Sequence, residues 1–366
     1  MIRMNDFIKE YKSVQTEVDA AIQRVMNSGW YILGHEVEEF EREFAQYIGR
    51  KYCIGVANGL EAIQIALLAL NIGEGDEVIT VSNSAVATGL GVSFTGATPV
   101  FVDIDEYYHM DPVQLEKAIT SKTKAILPVH LFGQAANIDA IQAIADKHNI
   151  PVIDDACQAH GAKYNDKYVG SHGLISCFSF YPTKNLGTYG DGGALVTDDE
   201  ELYNKCKLYR NYGQKTRYDH QLKGMNSRLD EMHAAILRAK LTYLDSWVAS
   251  RQEIAKKYTE QVSKVKQLTL PQIREKGKHA FHLYVIEVAE RDELKEYLME
   301  HGIESIIHYP IPIHMQKCYE EIKVSLPRTE DAAKHLLSLP IHPFITDEEI
   351  NKICETITSF YSNKSI

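Results

Sequence analysis

Seven short apolar runs, none alternating strictly between apolar and polar residues, constrain most strongly what this chain can fold into. They occupy residues 52–56, 78–81, 99–102, 124–129, 152–153, 174–181 and 194–197. A strand with one face in water alternates, whereas runs without alternation need cover on both faces. Helix-forming stretches at residues 59–70, 86–94, 112–118 and 139–148 fall between the runs and supply that cover. The order is that of an α/β fold with a mostly parallel central sheet, in which ligands bind beyond the C-terminal strand ends. Ahead of the first run, Val37, Phe40, Phe44 and Tyr47 recur at three- and four-residue steps among Glu and Arg, the pattern of an amphipathic helix.

At 366 residues the chain is longer than one core usually serves, so a large and a smaller domain are expected. A charged helical stretch over residues 230–251 reads as the connection. Beyond it come a strand at 282–288, helices at 292–301 and 347–361, and a loop at 307–314, together a small α+β domain. The expected division is 1–245 for the large domain and 246–366 for the small one. A net charge of −11 argues against a nucleic-acid-binding surface, which would be basic. The six cysteines have no CxxC spacing, so neither a zinc site nor a disulfide framework is suggested. Met1 is followed by charged residues without an apolar signal stretch, and no run reaches membrane-spanning length. A cytoplasmic enzyme without membrane or nucleic-acid partners is expected.

The run at 174–181 leads directly into Pro182-Thr183-Lys184-Asn185-Leu186-Gly187, closed by Gly190-Asp191-Gly192-Gly193. Lys184 thus follows a buried strand, among aromatic, hydroxyl and glycine neighbours, with Asp166 the nearest carboxylate before it. A desolvated ammonium loses its proton more easily and becomes a nucleophile for carbonyls. Schiff-base chemistry is the obvious use; an ordinary strand-to-loop lysine is the alternative. The run at 152–153 ends in Asp154-Asp155, followed by Ala156-Cys157-Gln158-Ala159-His160-Gly161. Carboxylates at a buried strand end are costly to desolvate and need partners. Pyridoxal phosphate (PLP) needs a lysine and an acid that keeps its ring nitrogen protonated, and Lys184 with Asp155 fits both needs. Asp154 suits a helix cap or a salt bridge equally well.

Ala57-Asn58-Gly59-Leu60 feeds the helix at 59–70. A glycine turn at a helix N-terminus offers free N–H groups and the positive dipole end to a phosphate, though a plain Asn cap has the same appearance. His308 and His314 flank two prolines with only Cys318 near, a spacing that matches no standard metal site, so no metal is expected.

Taken in order, these segments resemble one family. Asp154-Asp155-Ala156-Cys157-Gln158-Ala159-His160-Gly161, Phe178-Ser179-Phe180-Tyr181-Pro182-Thr183-Lys184-Asn185-Leu186-Gly187 and Gly190-Asp191-Gly192-Gly193 look like the DegT/DnrJ/EryC1/StrS nucleotide-sugar aminotransferases. Gly96-Ala97-Thr98-Pro99-Val100-Phe101-Val102-Asp103, Val129-His130-Leu131-Phe132-Gly133 and Met225-Asn226-Ser227-Arg228-Leu229-Asp230 extend the resemblance nearly end to end.

The resemblance implies a PLP enzyme of the aspartate-aminotransferase fold, fold type I. It implies Lys184 and Asp155 as catalytic residues, and Gly59, Leu60 and Ser179 around the cofactor phosphate. Gln158 is implied against the ring. Asn226 and Arg228 are implied to reach a neighbouring subunit's cofactor, which makes the active unit a homodimer. His308 and Tyr309 become substrate contacts. Ala85 takes the place of the aromatic residue that usually stacks on the ring. Asn58-Gly59-Leu60 in place of Ser-Gly-Thr, together with Tyr181, resembles the members that aminate C3 of dTDP-linked 3-keto-6-deoxyhexoses with L-glutamate as donor. Amination at C4 is the alternative. A PLP-dependent sugar dehydratase is disfavoured, because Lys184 is intact. An oxidoreductase is disfavoured too, because no G-x-G-x-x-G follows a strand.

Overall fold

A computed structural model describes residues 1–364. The seven runs form strands β1 (Tyr52–Val56), β2 (Glu77–Val81), β3 (Thr98–Val102), β4 (Thr123–Leu127), β5 (Ile153–Asp155), β6 (Ile175–Ser179) and β7 (Gly193–Thr197). Parallel pairing holds β2 between β3 and β4, and joins β5 to β6. Parallel bridges at Ile126–Val152 and Val129–Asp155 connect β4 to β5. The last two neighbours, β7 and β1, are added antiparallel, so the sheet order is β3-β2-β4-β5-β6-β7-β1 and β7 alone runs against the rest.

Helices cover both faces, as the unalternating strands require. Gly59–Ala69 buries Ile63, Ile65, Ala66 and Leu67, so it lies within the structure rather than on its surface. On the other face, His35–Ile48 turns Val37, Phe40 and Phe44 inward. The ring of Phe44 meets Phe178 at 5.0 Å and Phe180 at 5.2 Å, both edge-on. Each such aromatic contributes about 1.5–3 kcal/mol through burial. Gly34 at the start of this helix has no side chain to cap it. Buried Glu231 supplies the cap instead, accepting from the N–H groups of Gly34, Glu36 and Val37 at 2.8–3.0 Å.

The stretch at 230–251 is not one helix. Glu231–Leu241 and Leu244–Val262 meet at a break around Thr242 and Tyr243. A further helix, Phe7–Ser28, packs Val14, Val18, Ala21 and Val25 on Glu231–Leu241. The smaller C-terminal unit is a sheet in which Tyr284–Val288 runs antiparallel between Leu268–Thr269 and Leu336–Leu339. Helices Arg291–Glu300 and Asp347–Lys364 cover it. The chain start belongs to this unit as well, since Ile2 bridges to Ile303 and is buried in the same apolar cluster.

Candidate active site

Beyond the C-terminal ends of the strands lies a cavity of about 530 Å³, lined by residues from five separate segments. Lys184 enters it from the loop between β6 and β7. That loop is stapled at its base, where Phe180 donates to the Gly192 carbonyl at 2.7 Å and Thr188 to the Phe180 carbonyl at 2.8 Å. The Lys184 amine makes no hydrogen bond or ion pair among the described residues. Burial lowers its pKa, while the nearby Cys157 and Asp155 pull it the other way. The net direction favours a free amine facing open space.

Successive carboxylates on β5 point to opposite faces and take separate roles. Asp155 is buried at the cavity floor, where Oδ2 accepts from Thr88 Oγ1 at 2.8 Å and Oδ1 from the Cys157 N–H at 3.2 Å. Asp154 turns away and lies 3.2 Å from His130 Nε2, accepting also from Ser176 Oγ and the Gly173 N–H. Burial pushes its carboxyl up, but these partners, His130 first, bring it below the ordinary value. Asp154 is a structural partner of His130.

At the mouth of the Gly59–Ala69 helix, Asn58 Oδ1 accepts from the Glu61 N–H at 2.9 Å. The cap leaves the N–H groups of Gly59 and Leu60 without a partner among the described residues, at the cavity wall. Gly59 is packed so closely that a Cβ there would lie 2.7 Å from both Ser179 Cβ and Cys157 Sγ. Gln158 is fixed on both sides: Oε1 accepts from the Phe132 N–H, and Nε2 donates to Tyr309 Oη, each at 2.9 Å.

Seven of the residues singled out from the sequence line this one cavity: Gly59, Leu60, Asp155, Gln158, Ser179, Tyr181 and Lys184. Tyr309 stands behind Gln158. His308 is tied to Ser338 Oγ at 2.8 Å, and burial, then the Lys184 charge, pushes it down to about 4. Asn226 and Arg228 lie elsewhere. Asn226 is exposed and bridges to Asn211, while Arg228 donates to Asn211 Oδ1 at 3.1 Å and stacks over Tyr212. Ala85 contributes to the cavity wall and no aromatic of residues 81–88 does, since that segment holds none; Phe94, further along, does reach it. Ser84, Thr88, Cys157 and Phe94 were not anticipated as lining residues. The one signal for Thr88 is its place three residues after Ala85 at a helix start, which turns both to one side.

A sequence profile described as the DegT/DnrJ/EryC1/StrS aminotransferase family matches residues 12–358. The chain belongs to this family. It is therefore a PLP-dependent aminotransferase of fold type I. The aminotransferase is 49% identical over 348 residues to the dTDP-3-amino-3,6-dideoxy-alpha-D-galactopyranose transaminase of Aneurinibacillus thermoaerophilus, covering 94% of this chain and 96% of that one. It is 44% identical over 356 residues to the dTDP-3-amino-3,4,6-trideoxy-alpha-D-glucose transaminase of Streptomyces venezuelae, covering 96% and 94%. Its fold matches the crystal structure of S. venezuelae DesV in complex with a ketimine intermediate, with a TM-score of 0.96 and 42% identity over 98% of each chain.

Proposed function

We propose that this aminotransferase moves the amino group of L-glutamate to C3 of a dTDP-linked 3-keto-6-deoxyhexose. The observation that carries the sugar position is the pair of relatives named as 3-amino-sugar transaminases, at 49% and 44% identity. Tyr181 supports it, lining the cavity three residues before Lys184, where a phenol can hydrogen-bond a sugar oxygen beside the reacting carbon. His308 and Tyr309 sit on the loop that faces the nucleotide sugar in this reading.

The donor set of the cavity fits PLP. The free N–H groups of Gly59 and Leu60 and the Ser179 hydroxyl would hold the phosphate, in a cradle that a side chain at residue 59 would fill. Asp155 would hold the proton on the ring nitrogen, and Gln158 would stand beside the ring. When bound, PLP supplies a carbonyl that captures amines and a ring that withdraws electrons from the attached carbon. Lys184 would hold it through its free amine and would carry the proton at the reacting carbon as general base and acid.

Two sites are shared across a homodimer in this reading, with Asn226 and Arg228 completing the partner's phosphate site. The placement of both away from their own cavity, with Asn226 exposed, supports it, as does the exposed apolar run Trp30, Tyr31 and Ile32 nearby, joined through the Ile32–Asp230 bridge. In this reading the chain divides into domains 1–245 and 246–366, with the first residues returning to pack on the second. Six free cysteines suit a reducing cytoplasm, and no helix among the described residues is long and apolar enough to cross a membrane.

Incubation with L-glutamate and, separately, dTDP-3-keto- and dTDP-4-keto-6-deoxyhexoses tests the reading. Turnover of the 3-keto sugar alone is expected. Turnover of the 4-keto sugar alone overturns the C3 assignment and leaves amino transfer standing.

A further inference from the structure

Asp155 has a partner that the reaction as described gives no task. Thr88 lies in the first turn of the Val86–Ser93 helix and is 1% exposed. A threonine inside a helix usually satisfies its hydroxyl on the carbonyl four residues back. Thr88 Oγ1 reaches across to another element instead, 2.8 Å from Asp155 Oδ2. Behind it, Ser84 Oγ lies 2.8 Å from Thr88 Oγ1, equally buried. A hydroxyl has one proton to give, and a carboxylate only accepts. Thr88 therefore spends its proton on Asp155, and Ser84 donates to Thr88. The chain of donors has one direction and ends on the acid.

The other oxygen, Oδ1, takes the Cys157 N–H at 3.2 Å from its own strand end. With one donor from the turn just after β5 and one from the helix after β2, the plane of the carboxylate is held at both oxygens. Asp155 itself lines the cavity.

We propose that Thr88 is a positioning residue for Asp155, its hydroxyl setting the rotation of the carboxylate toward the cofactor ring nitrogen, with Ser84 orienting that hydroxyl. This rests on the reading of Asp155 given above. It also gives a second use to the segment in which Ala85 replaces an aromatic residue: the residues around Ala85 grip the acid below the ring rather than the ring itself.

Thr88→Val keeps the shape and removes the donor; Thr88→Ser keeps the donor. Each, with wild type and Asp155→Asn, is loaded with PLP labelled with ¹⁵N in the ring, and the nitrogen resonance is followed from pH 6 to 9 beside the pH profile of the glutamate half-reaction. In Thr88→Val the resonance is expected to move toward the unprotonated position at a lower pH than in wild type, with PLP bound about tenfold more weakly. Thr88→Ser is expected to restore both. A wild-type resonance and profile in Thr88→Val, or a Thr88→Ser no better than Thr88→Val, overturns the role of Thr88. An unmoved resonance in Asp155→Asn overturns the reading of Asp155, and this proposal with it.

Discussion

Gly59 and Ser179 approach so closely that a methyl group on Gly59 would stand 2.7 Å from Ser179 Cβ. One belongs to a helix start and the other to the end of β6, and neither atom sits on a flexible tip. Gly59→Ala must therefore move backbone at the proposed phosphate cradle. PLP affinity is expected to fall at least about tenfold, since one or two charge-assisted hydrogen bonds are lost. Absorbance titration of the apoenzyme with PLP measures it; wild-type affinity would show that the phosphate lies elsewhere.

Lys184→Ala removes the amine that faces the cavity. Transamination is expected to drop by more than about a thousandfold, in the range of a lost general acid–base group together with a lost nucleophile. PLP should still bind through the cradle but no longer be fixed by borohydride. Peptide mapping of the reduced wild type is the check, and a label on any other lysine contradicts the assignment.

Gln158 and Tyr309 are joined by one hydrogen bond between the cavity wall and the C-terminal unit. Tyr309→Phe is expected to cost about 1 kcal/mol in urea unfolding of the apoenzyme and to raise the KM for the sugar more than that for glutamate. An equal rise for both substrates would argue that Tyr309 acts only through Gln158.

Lys240 is buried with its amine 2.5 Å from Glu10 Oε1 and bonded to the Gly187 carbonyl, in the loop that carries Lys184. Lys240→Met leaves Glu10 without its partner and is expected to cost about 3–5 kcal/mol, whereas the double change with Glu10→Leu should recover much of it. Denaturant unfolding of the three variants gives the coupling; strictly additive costs would refute it.

Burial pushes His109, His160 and His279 each down to about 3. The same side chains titrate near 6.5 in the unfolded chain. Between those two values the unfolded state binds more protons, so stability is intact above about pH 6.5 and falls as the pH drops toward 3. The loss by pH 5.5 is about 1.4 kcal/mol per histidine. Urea midpoints of the apoenzyme at pH 7.5 and 5.5 should differ clearly; coincident midpoints would contradict the buried neutral state.

How much of this was legible in the sequence depended on whether the signal was local. The seven strands announced themselves because each is apolar on both faces, and Lys184 and Asp155 because charge at the end of such a run has no cheap explanation. The helix Phe7–Ser28 gave little, since its buried stripe is only Val14, Val18, Ala21 and Val25 in a polar segment. The break at Thr242–Tyr243 carries neither Gly nor Pro, so residues 230–251 looked continuous. Thr88 was invisible for a different reason. Its role depends on a carboxylate 67 positions away, and a threonine among Val, Ala and Gly has no pattern that points there. Nor could spacing reveal Glu231 as the cap of a helix that begins nearly 200 residues earlier.

The reversed direction of β7 has a consequence for how such an enzyme can change over generations. Because β7 starts where β6 ends, the chain passes the cavity at Asp155, Ser179, Lys184 and Asp191 in one block that runs from the end of β5 to the start of β7. Acid, hydroxyl and amine are inherited together and held by the same stretch of sheet. Of the residues proposed to meet the sugar, His308 and Tyr309 come from a loop outside that block, while Tyr181 lies within it. Mutation in the His308–Tyr309 loop can therefore redraw one side of the acceptor pocket while acid, hydroxyl and amine stay untouched, and a lineage can change its sugar without rebuilding its chemistry.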